Sequence, residues 1–187
     1  MAEVPNCTIL VGSLRTDSIN KAAADCASDY LEGRFTVYRP DLSGLPPFNQ
    51  DVEDTGDPPA VADLKAAVLD SELVLIFSPE YNYGIPGVLK NAIDWLSRPF
   101  RAGSLIGKAV GITSVTPGSR GGENTREQLL QTYQNFEENE HSKIFDNEFF
   151  GYTKITVEQP KIDNGQIVRD KKGNPKPDSK LRDYERV

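Results

Sequence analysis

The sequence predicts an α/β fold in which a doubly wound parallel sheet carries helices on both faces. Three observations predict it. Short apolar runs rich in β-formers alternate with segments whose apolar residues recur at helical spacing. A central run, Leu75-Ile76-Phe77, breaks into the polar loop Ser78-Pro79-Glu80-Tyr81-Asn82-Tyr83-Gly84-Ile85 and then, at Pro86, into a helix. The length of 187 residues suits one domain with a substantial core. No internal repeat or second domain is evident, so residues 1–187 read as a single unit.

Cys7 to Val11 forms the first strand, ended by Gly12. From Ser18 the apolar positions Ile19, Ala22, Ala23, Cys26, Ala27 and Tyr30 mark a helix. Arg34 to Arg39 reads as a second strand. Pro40 to Pro59 is a long loop with five prolines, and loops of that length usually serve a site or an interface. A helix follows from about Ala60 to Leu69, with Val61, Leu64 and Val68 on one face. Leu73 to Phe77 is the central strand, and Pro86 to Ser97 is a strongly amphipathic helix. Within it Trp95 lies at the edge of the apolar arc, where it suits either the core or a subunit contact.

Ala109 to Val115 is the fourth strand, and Glu123 to Asn139 a helix with Leu129, Leu130, Tyr133 and Phe136 apolar. Phe149 to Val157 alternates aromatic and β-branched residues and is the expected fifth strand. Asn164-Gly165 signals a turn in a small hairpin over 161–168. About 158–187 form a polar C-terminal extension, with a short helix expected over 179–186. Five strands connected in this way fit the flavodoxin-like order 2-1-3-4-5, whose ligand sits at the switch point between strands 1 and 3. That rule selects the loop after Val11 and the loop after Phe77.

Composition narrows the partners. A net charge of −7 argues against a protein that lives on nucleic acid or anionic lipid. No apolar run approaches a membrane span and no signal peptide is evident, so a soluble cytoplasmic protein is expected. Cys7 and Cys26 have no metal-binding or CxxC spacing and read as reduced core thiols. His141, the only histidine, sits among acidic residues away from both loops. A Ser-His-Asp arrangement and a histidine-rich metal site are therefore not expected. Asp51, Glu53 and Asp54 in the proline-rich loop read as solvated.

The first selected loop, Gly12-Ser13-Leu14-Arg15-Thr16-Asp17-Ser18-Ile19-Asn20, is neither a Walker A loop nor a GxGxxG fingerprint. It still carries what a phosphate monoester needs. Ser13 and Ser18 supply hydroxyls, Arg15 a charged fork, Asn20 an amide, and the helix start at Ile19 further backbone N–H groups. The plainer alternative makes Ser18 an N-cap and Arg15 a surface charge.

Gly12-Ser13-Leu14-Arg15 with Ser18 and Asn20, then Ser78-Pro79-Glu80-Tyr81-Asn82, then Lys90-Asn91-Ala92-Ile93-Asp94-Trp95, resemble the NADPH-dependent FMN reductase family over roughly residues 6–130. That family also contains quinone, azo-dye and chromate reductases. The resemblance implies a flavoprotein with FMN as cofactor and NADPH or NADH as co-substrate. By position, Ser13, Arg15, Ser18, Ile19 and Asn20 would hold the FMN phosphate. Pro79, Glu80, Tyr81, Asn82 and Tyr83 would border the isoalloxazine, largely through backbone N–H groups, and Ser114 would approach the ring.

The implied activity is an oxidoreductase passing two electrons by ping-pong hydride transfer to quinones, free flavin, azo compounds or chromate. The flavin performs the chemistry, so no catalytic side chain and no metal are expected. A homodimer or homotetramer is implied as well, with the Pro86–Arg98 helix as candidate interface. A flavodoxin-type electron carrier and a flavin-binding redox sensor acting through a protein partner are the alternatives. Arg120, in the loop after the fourth strand, is a candidate to meet a 2′-phosphate.

Overall fold

The computed structural model describes residues 4–116 and 120–138, together with the backbone of 162–163 and 166–167. Four parallel strands form one sheet: β1 (Asn6–Val11), β2 (Thr36–Tyr38), β3 (Leu73–Phe77) and β4 (Ala109–Thr113), in the order β2-β1-β3-β4. β1 and β3 are in register from Cys7 opposite Leu73 to Val11 opposite Phe77. β3 and β4 run from Leu73 opposite Ala109 to Phe77 opposite Thr113. The expected order is therefore observed for its first four members. The expected fifth strand, the 179–186 helix and His141 lie outside the described residues. A short antiparallel pair, β5 (Ile162–Asp163) and β6 (Gln166–Ile167), flanks Asn164-Gly165 as the turn signal predicted.

Alternation along the strands sorts the core into two layers, because successive side chains leave opposite faces. Cys7, Ile9 and Phe77 pack with Ala24 and Leu31 of α1 (Ile19–Leu31). Leu10, Val74, Ile76 and Val110 pack on the other face with α3 (Pro59–Leu69), α4 (Gly87–Leu96) and α5 (Glu123–Glu138). Thr8 also faces inward, fully buried. Its hydroxyl donates to the Ala67 carbonyl at 3.1 Å and lies 2.8 Å from Ser71 Oγ, which offsets the cost of burying it. The helices thus leave β1 and β3 toward opposite faces, which creates the switch point.

The segment expected as a long loop after the second strand contains a 3₁₀ turn at Leu42–Gly44 and a short α2 (Gln50–Glu53). It is fastened to α4. The Pro46 carbonyl accepts from Trp95 Nε1 at 2.8 Å and from Asn91 Nδ2 at 2.9 Å, and Phe48 N donates to Asn91 Oδ1 at 2.7 Å. Phe48 meets Trp95 edge-on at 5.0 Å. Trp95 is fully buried, so of the two readings the core one holds and the ring is no surface anchor. Glu53 is not solvated either: it accepts from Arg98 Nε at 2.6 Å, and both side chains are largely buried. Cys26 is exposed on α1 rather than buried, whereas Cys7 is in the core. Helical spacing places Cys26 near the apolar arc, but α1 buries only a narrow stripe against the sheet.

Candidate functional site

The site is assembled at the carboxyl ends of β1, β3 and β4. Gly12 follows β1 and donates its N–H to the Phe77 carbonyl at 2.8 Å, which extends the pairing by one residue. A Cβ here would lie 3.0 Å from Leu89 Cδ2 and 3.1 Å from Ser78 Oγ, so the two loops approach closely only because residue 12 is glycine. Beyond it the β1 loop runs free. Among the described residues, the backbone N–H groups of Ser13 to Asp17 meet no acceptor, and neither do those of Ile19 and Asn20 in the first turn of α1. Ser18 caps that helix, its Oγ accepting from Lys21 N at 3.3 Å. The capping reading of Ser18 is thus correct for its oxygen, and its hydroxyl hydrogen remains to donate. Arg15 is exposed and forms no ion pair among the described residues.

The β3 loop faces this row. Tyr81 and Gly84 pair through two backbone bonds of 3.1 and 3.0 Å, with Asn82 and Tyr83 between them at φ of 50° and 64°. This is a tight turn with both central residues left-handed, and it leaves the N–H groups of Glu80, Asn82 and Tyr83 without acceptors among the described residues. Tyr83, an aromatic residue in a conformation that disfavours side chains, is held there from outside. Its carbonyl accepts from Gln128 Nε2 at 2.8 Å. Tyr81 and Tyr83 are exposed, and the Tyr81 hydroxyl lies 3.5 Å from Ser13 Oγ, joining the two loops.

Glu80 does not offer its carboxylate to the site. Oε1 accepts from Asn124 Nδ2 at 3.1 Å and Oε2 from Thr125 N at 3.3 Å, so the side chain caps the N-terminus of α5, where a negative charge suits the helix dipole. Pro79 is half-buried, and its carbonyl accepts from Ser78 Oγ at 2.9 Å. Asn20 behaves differently from its sequence-level assignment. Its Nδ2 donates to the Val115 carbonyl at 2.7 Å while Oδ1 accepts from Val115 N at 2.9 Å. The buried side chain therefore ties α1 to the loop after β4, and only its backbone N–H faces outward as a free donor.

Ser114 stands at the end of β4. Its Oγ is buried and has no hydrogen-bond partner among the described residues. Gly122 is what makes room for it: φ is +72°, and a Cβ there would lie 1.9 Å from Ser114 Oγ. An orphaned buried hydroxyl is costly, and at the carboxyl end of β4 a ligand atom is one partner that would satisfy it. The residues brought together are thus Ser13, Arg15, Ser18, Ile19 and Asn20 on one side, and Pro79 to Tyr83 with Ser114 on the other. A cationic fork with a helix N-terminus and a row of amides fits a phosphate monoester. The amides of the β3 turn and the Ser114 hydroxyl fit a flat ring with polar edges, so the donor set matches a flavin mononucleotide. Sequence reading missed Asn124, Thr125 and Gln128, which hold the β3 loop from α5. Nothing in their spacing marks them, since their partners are distant in sequence. Among the described residues no cluster of His, Cys, Asp and Glu suited to a metal is present, and no helix is long and apolar enough to cross a membrane.

Comparison with known proteins agrees with the fold and with a flavin cofactor. The family model described as NADPH-dependent FMN reductase matches residues 5–140. A quinone reductase from Pseudomonas putida is 36% identical over 122 residues, covering 65% of this chain and 66% of that protein. An NAD(P)H-dependent FMN reductase from Pseudomonas aeruginosa is 39% identical over 121 residues, covering 65% of each. The matched segment thus spans just under two thirds of these curated relatives. Among solved structures, the flavoenzyme NAD(P)H:(acceptor) oxidoreductase FerB from Paracoccus denitrificans superposes with a TM-score of 0.67 at 33% identity, over 72% of this chain and 73% of that one.

Proposed function

The chain belongs to the NADPH-dependent FMN reductase family, and on that premise we propose that it is an FMN-dependent NAD(P)H oxidoreductase acting on quinones or similar small acceptors. Free flavin, azo compounds and chromate belong to the same acceptor class. One observation carries the reading: two loops at the switch point face each other with uncommitted N–H donors, an unpaired guanidinium and a buried orphan hydroxyl.

Ser13, Arg15 and the Ser18 hydroxyl, with the amides of Ile19 and Asn20, would hold the FMN phosphate. Glu80, Asn82 and Tyr83 would donate backbone N–H groups to the ring edge, with Pro79 and Tyr81 bordering it and Ser114 Oγ meeting a polar ring atom. Bound FMN would supply the redox chemistry, taking a hydride from NAD(P)H and passing the electron pair to the acceptor. The chain's own part is to position and to exclude alternatives, because Glu80 is committed as a helix cap and no other carboxylate of the β3 loop is available as an acid. Donor and acceptor would use the exposed side beside Tyr81 and Tyr83 in turn, which is a ping-pong scheme.

Three further parts belong to this reading. A fifth strand at 149–157 would pair with the edge of β4 that is open among the described residues. A homodimer or homotetramer would cover exposed apolar residues such as Leu14 on the β1 loop. A cytoplasmic setting suits the two free thiols. The decisive test is anaerobic mixing of FMN-loaded protein with NADPH or NADH. Bleaching of the flavin absorbance and its return on adding a benzoquinone are expected; if neither nucleotide bleaches it, the enzyme reading fails.

A further inference from the structure

Two arginines stand uncommitted, one on each side of the loop pair. Arg15 belongs to the β1 loop. Arg120 precedes α5, and its guanidinium lies over the Tyr83 ring, Cζ 5.4 Å from the centroid. Neither has a carboxylate within ion-pairing distance among the described residues. The neighbouring Arg126 is not free, because its Nη1 donates to the Gly121 carbonyl. The nearest carboxylate of the β3 loop, Glu80, is held by Asn124 and Thr125.

Stacking on a ring uses the face of a guanidinium and leaves its in-plane N–H fork available for an anion. The platform is firm, since Tyr83 is fixed by the Tyr81–Gly84 pairing and by Gln128. A flavin mononucleotide carries one phosphate, and Arg15 with the start of α1 accounts for it. Its ring end bears no second phosphate. An arginine poised over the ring-side loop, in a chain of net charge −7, therefore has no anion of the resident cofactor to meet. Of the proposed acceptors, quinones are uncharged and chromate is an oxyanion with no ring, whereas the nucleotide donor carries both phosphates and aromatic rings.

We propose that Arg120, stacked on Tyr83, recognises a phosphate of the incoming nicotinamide dinucleotide. This rests on the oxidoreductase reading. The phosphate has two sources, the 2′-phosphate carried by NADPH alone and the pyrophosphate shared with NADH.

The test measures the concentration dependence of flavin bleaching by NADPH and by NADH for wild type, Arg120→Gln and Arg120→Lys, alongside FMN titration of each apoprotein. Arg120→Gln should raise the half-saturating nucleotide concentration by about tenfold or more, the usual loss for one charge-assisted contact. The limiting bleaching rate and the FMN dissociation constant should stay near wild type, and Arg120→Lys should recover part of the loss. A rise for NADPH alone assigns the 2′-phosphate; equal rises for both assign the pyrophosphate. Unchanged half-saturation for both nucleotides overturns the proposal, as does an equal loss of FMN affinity, which would place Arg120 in the flavin site. If the wild type is bleached by neither nucleotide, the oxidoreductase reading itself falls and the proposal with it.

Discussion

Arg15, on the β1 loop, and Asn20, in the first turn of α1, lie five residues apart, yet they do different work. Arg15 is exposed and unpaired among the described residues, so nothing in the fold depends on its guanidinium. Arg15→Ala should weaken FMN binding by about 10–100-fold, the range for losing a charge-assisted phosphate contact, and leave the unfolding midpoint near wild type. Fluorescence titration of the apoprotein checks the first part and urea denaturation the second. Asn20 reverses that pattern. Truncating it strands both Val115 backbone groups in a buried setting. Asn20→Ala should therefore cost about 2–4 kcal/mol of stability in urea unfolding, whether or not flavin is present.

At the scale of elements, the unexpected part is α5. Its first turns reach back to the β3 loop through Thr125, Asn124 and Gln128, so the helix both covers the sheet and sets the shape of the ring-side loop. Glu80→Ala should cost about 0.5–2 kcal/mol as a lost cap, while Glu80→Gln, which keeps one accepting oxygen, should cost less and retain turnover. Abolished turnover in Glu80→Gln with stability intact would instead mark Glu80 as an acid. The segment between β2 and α3 makes the same point on the other side of α4. Its four prolines suggest an open loop, but Pro46, Phe48 and Glu53 dock onto Asn91, Trp95 and Arg98.

Across the whole molecule, the two cysteines report on where the core lies. Burial pushes the Cys7 thiol up to about 11, because an ionised sulfur has no solvent there. Its folded value is thus raised above the unfolded one. The resulting contribution to stability is fully present below the ordinary thiol range near 9 and is lost as pH rises toward about 11. Stability measured by urea unfolding should accordingly fall between those limits by on the order of 2–3 kcal/mol, and by less in Cys7→Ala after its own packing loss is subtracted. Native alkylation should modify Cys26 first and Cys7 only on unfolding, with mass spectrometry as the readout.

Residue spacing alone determined the α/β alternation, four strands close to their observed limits, and the two loops that face each other at the switch point. Those features are local: apolar periodicity, turn residues and a helix start are written within a few neighbouring positions. What the side chains of the loops do was decided by tertiary structure. Asn20 meets Val115, Glu80 meets Asn124 and Thr125, and Trp95 meets Pro46, pairs separated by 44 to 95 positions. Cys26 and Glu53 exchanged their expected burial for the same reason, since which side of an element is covered depends on what packs against it. Sequence pattern names the groups able to form a hydrogen bond. Only the folded chain shows which of them already have a hydrogen-bond partner and which, like the Ser114 hydroxyl, have none among the described residues.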